Sequence, residues 1–213
     1  LSRFGSELIS DYIGLIFFIM AMVGSPGPAN IILFALGCTQ KFRVSIPFIL
    51  SVVLSKQLII WPIGFSLLLI NDLIDQYSSI MMILSIIFIS WIGYKIIFMD
   101  LSVKKKSTIW APRFYHGLLV HPLNPKAWMM ITLAFTAFQS QGVSSETIPT
   151  IAMIFLLIQL IFHSAWFWFG SLVRRADLSE KNSRIVKIAL LISLIASIVC
   201  LLYTSPSPRD FTE

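Results

Sequence analysis

The stretch LIFFIMAMVGSPGPANIILFALG, residues 15–37, decides how this chain must fold. It belongs to an apolar run of about 29 residues at 9–37, whereas a helix needs only about 20 residues to cross a bilayer core. Its centre, GSPGPAN at 24–30, holds two prolines, which remove backbone donors, and two glycines, which loosen the helix. We therefore expect a membrane-spanning helix that is interrupted near its middle.

The interruption reads as the start of a second helix. Ser25 is a suitable N-cap, and Pro26 would lie in the first turn, where its missing N–H costs nothing. A half-helix that starts inside a membrane presents unpaired N–H groups and a partial positive charge, which favour a carboxylate. The carbonyls at the end of the preceding half-helix, near Val23 and Gly24, are expected to be bare and to suit an ammonium group.

A second stretch, HPLNPKAW at 121–128, repeats this arrangement inside another apolar run. Asn124 is the expected N-cap, and Pro125 is expected at the first helical position. Either interruption alone could be a simple kink, which membrane helices tolerate. Two interruptions at matching places favour a binding site.

Composition and hydropathy indicate an all-α integral membrane protein. Of the 213 residues, 57% are hydrophobic and 12% are charged, whereas soluble domains carry about 25% charged residues. The apolar runs do not alternate as the strands of a membrane barrel would. Six runs are long enough to be transmembrane helices, at 9–37, 44–70, 78–99, 114–139, 148–173 and 185–203.

The interruptions fall in the first and fourth spans, so the first helix of each three-helix half is broken. Three is odd, hence the halves must enter the membrane from opposite sides, as in an inverted repeat. We expect one transporter domain at 1–203, with repeat 1 at about 9–99 and repeat 2 at about 114–203. Residues 204–213 do not continue the apolar pattern and are expected to be a tail, either disordered or non-native.

Lysine and arginine predict the orientation. Ten of them fall in the first, third and fifth loops, against Arg3 and Arg209 on the other side. Positive loops stay in the cytoplasm, so both termini are expected to face outward. The ten are Lys41, Arg43, Lys104, Lys105, Lys106, Arg113, Arg174, Arg175, Lys181 and Arg184.

Three further side chains are candidates for ion coupling. Lys56 lies near the middle of the second span, where a charge is costly and often functional. His121 precedes the second break and His163 lies within the fifth span, and histidine titrates near neutral pH. The alternatives are a lysine that is neutral or paired with a carbonyl, and histidines that simply bond carbonyls.

The sequence also limits the function classes. No Asp or Glu lies in the interior of a predicted span, since Asp11, Asp72, Asp75 and Asp100 are all near span ends, so a neutral or acidic substrate fits better than a basic one. No catalytic set, metal-ligand spacing or cofactor motif is present, so we expect no enzyme, no metal and no cofactor. The basic residues form no strand-binding face with aromatics, which argues against nucleic acid as a partner.

PGP at 26–28 with Asn30, WIGYK at 91–95 and NPKAW at 124–128 together resemble the LysE/RhtB family of amino acid exporters. The resemblance runs over about residues 10–200 and implies efflux of amino acids or related metabolites from the bacterial cytoplasm, driven by the proton gradient. Serine and alanine replace several expected glycines in the second and last helices, but they still permit close packing. Lys56 departs from the pattern and puts the carry-over of substrate in doubt.

The expected function is therefore export of amino acids, neutral ones first, across the bacterial inner membrane. The alternatives are a transporter of the same fold for a cation or another small solute, and a non-transporting membrane subunit. Assembly as a homodimer is a further possibility that the sequence leaves open. The expected substrate-binding residues are Ser25, Pro26, Gly27, Pro28, Asn30, Asn124, Pro125 and Lys126.

Overall fold

The computed structural model describes residues 2–66, 113–136, 138, 146–176 and 178–204, with scattered positions between 83 and 98. Every regular element in these ranges is an α-helix, as the sequence predicts. In chain order the helices are α1 (Ser2–Gly24), α2 (Pro28–Thr39), α3 (Phe42–Ser66), α4 (Phe114–Leu118), α5 (Pro125–Thr136), α6 (Thr147–Arg175) and α7 (Glu180–Thr204).

Two helices, α3 and α6, are long and apolar enough to cross a membrane, with mean hydropathies of 1.8 and 2.0. The bent pair α1–α2 makes a third if the two helices count as one interrupted span. Large apolar side chains also cover the outer surface, where Phe17 is 66% exposed and Ile161 is 67% exposed. An apolar surface of this extent is typical of a chain that faces lipid. Most of the third predicted span, 78–99, lies outside the described residues, as does the tail from 205.

The first span is interrupted where the sequence predicts, but the second helix starts later. α1 ends at Gly24, α2 begins at Pro28, and the two axes are bent by 53°. Gly27, not Ser25, is the N-cap, because Pro28 takes the first helical position. The Ser25 hydroxyl instead donates to the Met22 carbonyl oxygen at 2.9 Å, within the last turn of α1. The prediction that Ser25 caps the helix is therefore wrong.

The fourth predicted span, 114–139, is also interrupted. The short helix α4 ends at Leu118, a series of turns follows, and α5 begins at Pro125. Asn124 Oδ1 accepts a hydrogen bond from the Lys126 backbone N–H at 3.1 Å. This is the N-cap geometry that the sequence predicts.

Two glycines bring α2 and α6 together. A Cβ atom on Gly37 would collide with the Phe167 carbonyl oxygen, and one on Gly170 would collide with the Phe34 carbonyl oxygen. Backbones that approach this closely are typical of small-residue contacts between membrane helices. The contact holds the second half of the first span against α6, which carries His163.

Candidate functional site

The two interruptions meet inside the protein. Lys126 Nζ, just after the second interruption, donates a hydrogen bond to Ser25 Oγ in the first at 2.6 Å. The same ammonium lies beside Gly27, where an added Cβ would be 3.5 Å from it. A cation is therefore held at the N-terminus of α2, where the helix dipole is already positive.

Asn30 organises the first interruption from within α2. Its amide nitrogen donates to the Val23 and Ser25 carbonyl oxygens at 2.7 and 2.8 Å. Its amide oxygen lies 2.8 Å from His163 Nδ1. The Asn30 side chain is 4% exposed, so it ties the end of α1, the start of α2 and α6 together in the interior.

The carbonyls before the first interruption are not bare. Val23 and Ser25 accept hydrogen bonds from Asn30, and Gly24 accepts one from the Trp166 indole N–H at 3.1 Å. At the second interruption, the Pro122 carbonyl accepts a hydrogen bond from Trp128 Nε1 at 2.9 Å. At Val23 and Gly24 the expectation of bare carbonyls is therefore wrong, because Asn30 and Trp166 already supply donors.

Gln159 joins the two histidines. Its Nε2 lies 3.1 Å from His121 Nε2 and 3.2 Å from His163 Nε2. The two imidazole rings stack with their centroids 5.6 Å apart. All three side chains are buried. Together with Asn30 they form a continuous hydrogen-bonded chain from the first interruption to the segment before the second.

Lys56 is carried into the same region by α3. It is 2% exposed, and its ammonium lies over the Phe155 ring, 5.3 Å from the centroid. A cation over an aromatic face gains electrostatic stabilisation. Lys56 lies well inside α3, away from both ends of the helix, and its role in coupling stays a prediction.

A cavity lies where these groups converge. Its empty volume, including its open mouth, is about 290 Å³. Lys56 and Lys126 are the two charged side chains among its described lining residues, and no carboxylate is among them. The described lining residues are Met22, Val23, Ser25, Gly27, Ala29, Asn30, Lys56, His121, Asn124, Lys126, Ala127, Met130 and His163.

Most of the predicted site residues thus reach one cavity, from both interruptions and from α3 and α6. Two do not line it within the described part of the chain: Pro26 is exposed, and Pro28 is buried at the start of α2. Pro125 begins α5. The prolines act through the backbone, because they end one half-helix and start the next.

Two residues of this region escape the sequence analysis. Gln159 is a lone amide in an apolar stretch, four residues before His163, and a polar group inside a span is a signal that could have singled it out. Trp166 is one of four consecutive aromatic residues at 166–169, and its indole N–H donates to the Gly24 carbonyl oxygen. Nothing in the sequence distinguishes it from its aromatic neighbours.

The described residues contain no cluster of His, Cys, Asp and Glu that could hold a metal ion. Comparison of the chain with protein-family models, curated proteins and solved structures gives no match. Inference about function therefore rests on the cavity and its chemistry.

Proposed function

We propose that this chain is a secondary transporter of the bacterial inner membrane that exports amino acids or related carboxylate metabolites in exchange for protons. The observation that carries the proposal is the cavity between the two interruptions, where Lys126 bonds Ser25 at the start of α2. Paired helix interruptions at a common polar centre are the usual substrate site of transporters built from repeats. The LysE/RhtB resemblance of the sequence points to the same class.

The cavity favours a carboxylate for three reasons that act in the same direction. Within the described residues, no side chain caps the N-terminus of α2, so we expect its N–H groups and positive dipole end to attract an anion. Lys126 brings a cation to that helix end. Lys56 adds a second amine to the lining, and an anion beside it would favour its charged form. The Lys126 ammonium and the positive N-terminal end of α2 repel each other, and an anion between them would remove that repulsion.

An amino acid would be held mainly by its carboxylate. Each carbonyl oxygen at the first interruption keeps a second lone pair, through which it can accept a hydrogen bond from the substrate ammonium. Because the described lining carries lysines and no carboxylate, a basic side chain on the substrate would be repelled. Neutral and acidic amino acids are the proposed cargo.

The inverted repeat belongs to the same proposal, and two features support it. The helices restart alike, with Gly27–Pro28 in the first span and Asn124–Pro125 in the fourth. The packing is also reciprocal, since the first span contacts α6 while the fourth span contacts α3. A symmetry operation that exchanges the two three-helix halves would convert the first-span contact with α6 into the fourth-span contact with α3. Six spans with outward termini then follow from the hydropathy and the charged loops.

Two other functions compete. Cation transport is disfavoured by the lysines in the lining and by the repulsion between like charges. A non-transporting membrane subunit would not need a cavity with convergent polar groups. Lys126→Met separates a subunit from a transporter, because a subunit that still inserts should tolerate the change.

Efflux measurements with labelled amino acids test the proposal. A host that lacks its own exporters is preloaded with each compound, and retention is compared with the parent chain, with Lys126→Met and with an empty vector. The parent chain should lower the retention of some neutral or acidic amino acid, and Lys126→Met should not. Equal retention in all three strains for every compound would contradict transport of amino acids.

A further inference from the structure

The hydrogen-bonded chain from Asn30 to His121 has a fixed direction. Asn30 Nδ2 faces two carbonyl oxygens, those of Val23 and Ser25. A carbonyl oxygen only accepts, so this end of the amide must be the nitrogen, and Asn30 Oδ1 must face His163. His163 Nδ1, at 2.8 Å from that oxygen, therefore carries a proton.

Gln159 continues the hydrogen-bonded chain as a donor to the histidines, whereas Asn30 accepts from His163. Its amide nitrogen has two hydrogens, and it lies within hydrogen-bond distance of Nε2 on both histidines. With both hydrogens donated, each Nε2 is an unprotonated acceptor. Both histidines are then neutral with the proton on Nδ1. His121 Nδ1 has no partner among the described residues, and the His121 side chain is buried in the cavity wall.

The opposite orientation of Gln159 requires one more proton. If Oε1 faced the histidines, both Nε2 atoms would have to carry hydrogens. His163, whose Nδ1 already donates to Asn30, would then be an imidazolium. His121 would stay neutral, but its proton would move from Nδ1 to Nε2, so that Nδ1 would change from a donor to an acceptor. The network as a whole therefore gains one proton, which is carried by His163.

We propose that Gln159 is a positioning residue that links protonation of His163 to the hydrogen-bonding character of His121 at the cavity. In the neutral state His121 Nδ1 carries a hydrogen and is a donor. With a proton on His163, Gln159 turns over and His121 Nδ1 presents a lone pair. Uptake of one proton at His163 therefore changes Nδ1 of His121, a residue of the cavity wall, from a donor to an acceptor.

The other charged groups that line the cavity also act on the added proton. Lys56 comes from α3 and Lys126 from α5, while the first interruption and α2 contribute the neutral Ser25 and Asn30. Both lysines repel a proton on His163, and a substrate carboxylate beside them offsets that repulsion. Exchange transport requires that the proton and the substrate affect each other's binding, so this inference rests on the proposed function for its purpose.

Nitrogen-15 NMR of the histidine-labelled full chain in detergent micelles tests the linkage without any transport. The parent protein above neutral pH should show the Nδ1–H form for both His121 and His163. His116 is the internal reference, because its Nδ1 accepts a hydrogen bond from the Arg113 backbone N–H at 3.0 Å, which leaves its proton on Nε2. Assignment comes from replacing one histidine at a time with glutamine.

Two variants and a control distinguish positioning from simple packing. Gln159→Glu offers only acceptors, so His163 should be doubly protonated and His121 should switch to Nε2–H even at neutral pH. Gln159→Leu should leave His163 in the Nδ1–H form and release His121 to a mixture. Gln57→Leu is the matched control. Gln57 is likewise an amide that bonds a second segment, from α3 to the Ala152 carbonyl oxygen of α6 at 3.0 Å, and its loss should change neither histidine.

An Nε2–H form of His121 in the neutral parent protein, or a His121 signal that Gln159→Glu leaves unchanged, would overturn the proposal. These readouts are independent of cargo. A chain that shows the expected tautomers but exports none of the tested amino acids would refute the proposed function and leave the linkage standing.

Discussion

Lys126 and Ser25 are 101 positions apart in the sequence, yet the Lys126 ammonium donates to the Ser25 hydroxyl at 2.6 Å. The contact joins the two interruptions directly. The Ser25 hydroxyl in turn donates to the Met22 carbonyl oxygen at the end of α1, so Lys126 is connected to α1 through Ser25. A movement of α5 relative to α1 would therefore have to break or reposition this bond. In the proposed transporter, this bond would have to change whenever one half rocks against the other.

Substitution of Gly170 should test how tightly α2 and α6 are packed. Gly170→Ala places a methyl group against the Phe34 carbonyl oxygen, and overpacking of this kind costs about 1–3 kcal/mol. Thermal unfolding of the purified protein in detergent should show a lower midpoint. Gly14→Ala is the control, because nothing lies within 4 Å of its added Cβ. Equal midpoints for the two variants would show that the close approach is not needed.

The interruptions were predictable because their signals are local. Pro125 can start a helix but not continue one, and Asn124 before it supplies the cap. The second helix of the first span starts at Pro28, not Pro26. Either proline could occupy the first turn of a helix, so the local sequence does not distinguish the two starts. Burial decides between them, since Pro28 is buried and Pro26 is exposed.

The interior of the site was less predictable, because it depends on packing between distant helices. The sequence does not show that the Asn30 side chain turns back and donates to the carbonyls of Val23 and Ser25, so that each carbonyl has one lone pair already in use. Nor does it show that Gln159 lies between two histidines that are 42 positions apart in the chain. Such contacts depend on how α2 and α6 cross, and the spacing of apolar residues in the sequence does not predict that crossing.

Labelling of single cysteines tests the orientation that the charged loops predict. Ser102→Cys and Ser144→Cys are introduced after Cys38 and Cys200 have been replaced. An impermeant thiol reagent added outside intact cells should modify position 144 and spare position 102, because the loop at 100–113 is basic and is expected in the cytoplasm. The reverse pattern would overturn the topology.

Lys56→Met should leave the protein inserted but weaken transport. Methionine matches the length of lysine and removes the ammonium from the cavity lining. A hydrogen bond to a charged group contributes about 1.5–3 kcal/mol, so the apparent affinity should fall about tenfold or more, or the pH profile should shift. Lys181→Met at the exposed start of α7 is the control. Unchanged expression, rate and pH profile in Lys56→Met would assign Lys56 to structure alone.

Asn124→Ala should weaken substrate binding without unfolding the protein. The change removes the cap on Lys126 N–H and a polar group from the cavity lining, each worth about 1 kcal/mol. The apparent affinity in the efflux assay should fall about fivefold or more. Asn182→Ala, at an exposed position of α7, should leave it unchanged. A parent-like affinity in Asn124→Ala would remove Asn124 from the binding site.

Competition between an exported amino acid and its methyl ester tests the central claim most directly. The ester keeps the side chain and the ammonium but lacks the carboxylate charge, so it cannot bridge Lys126 and the N-terminus of α2. The account predicts that the free acid competes strongly with the labelled substrate and the ester competes poorly. An ester that competes with the parent protein as well as the free acid does would contradict the carboxylate site between the two interruptions.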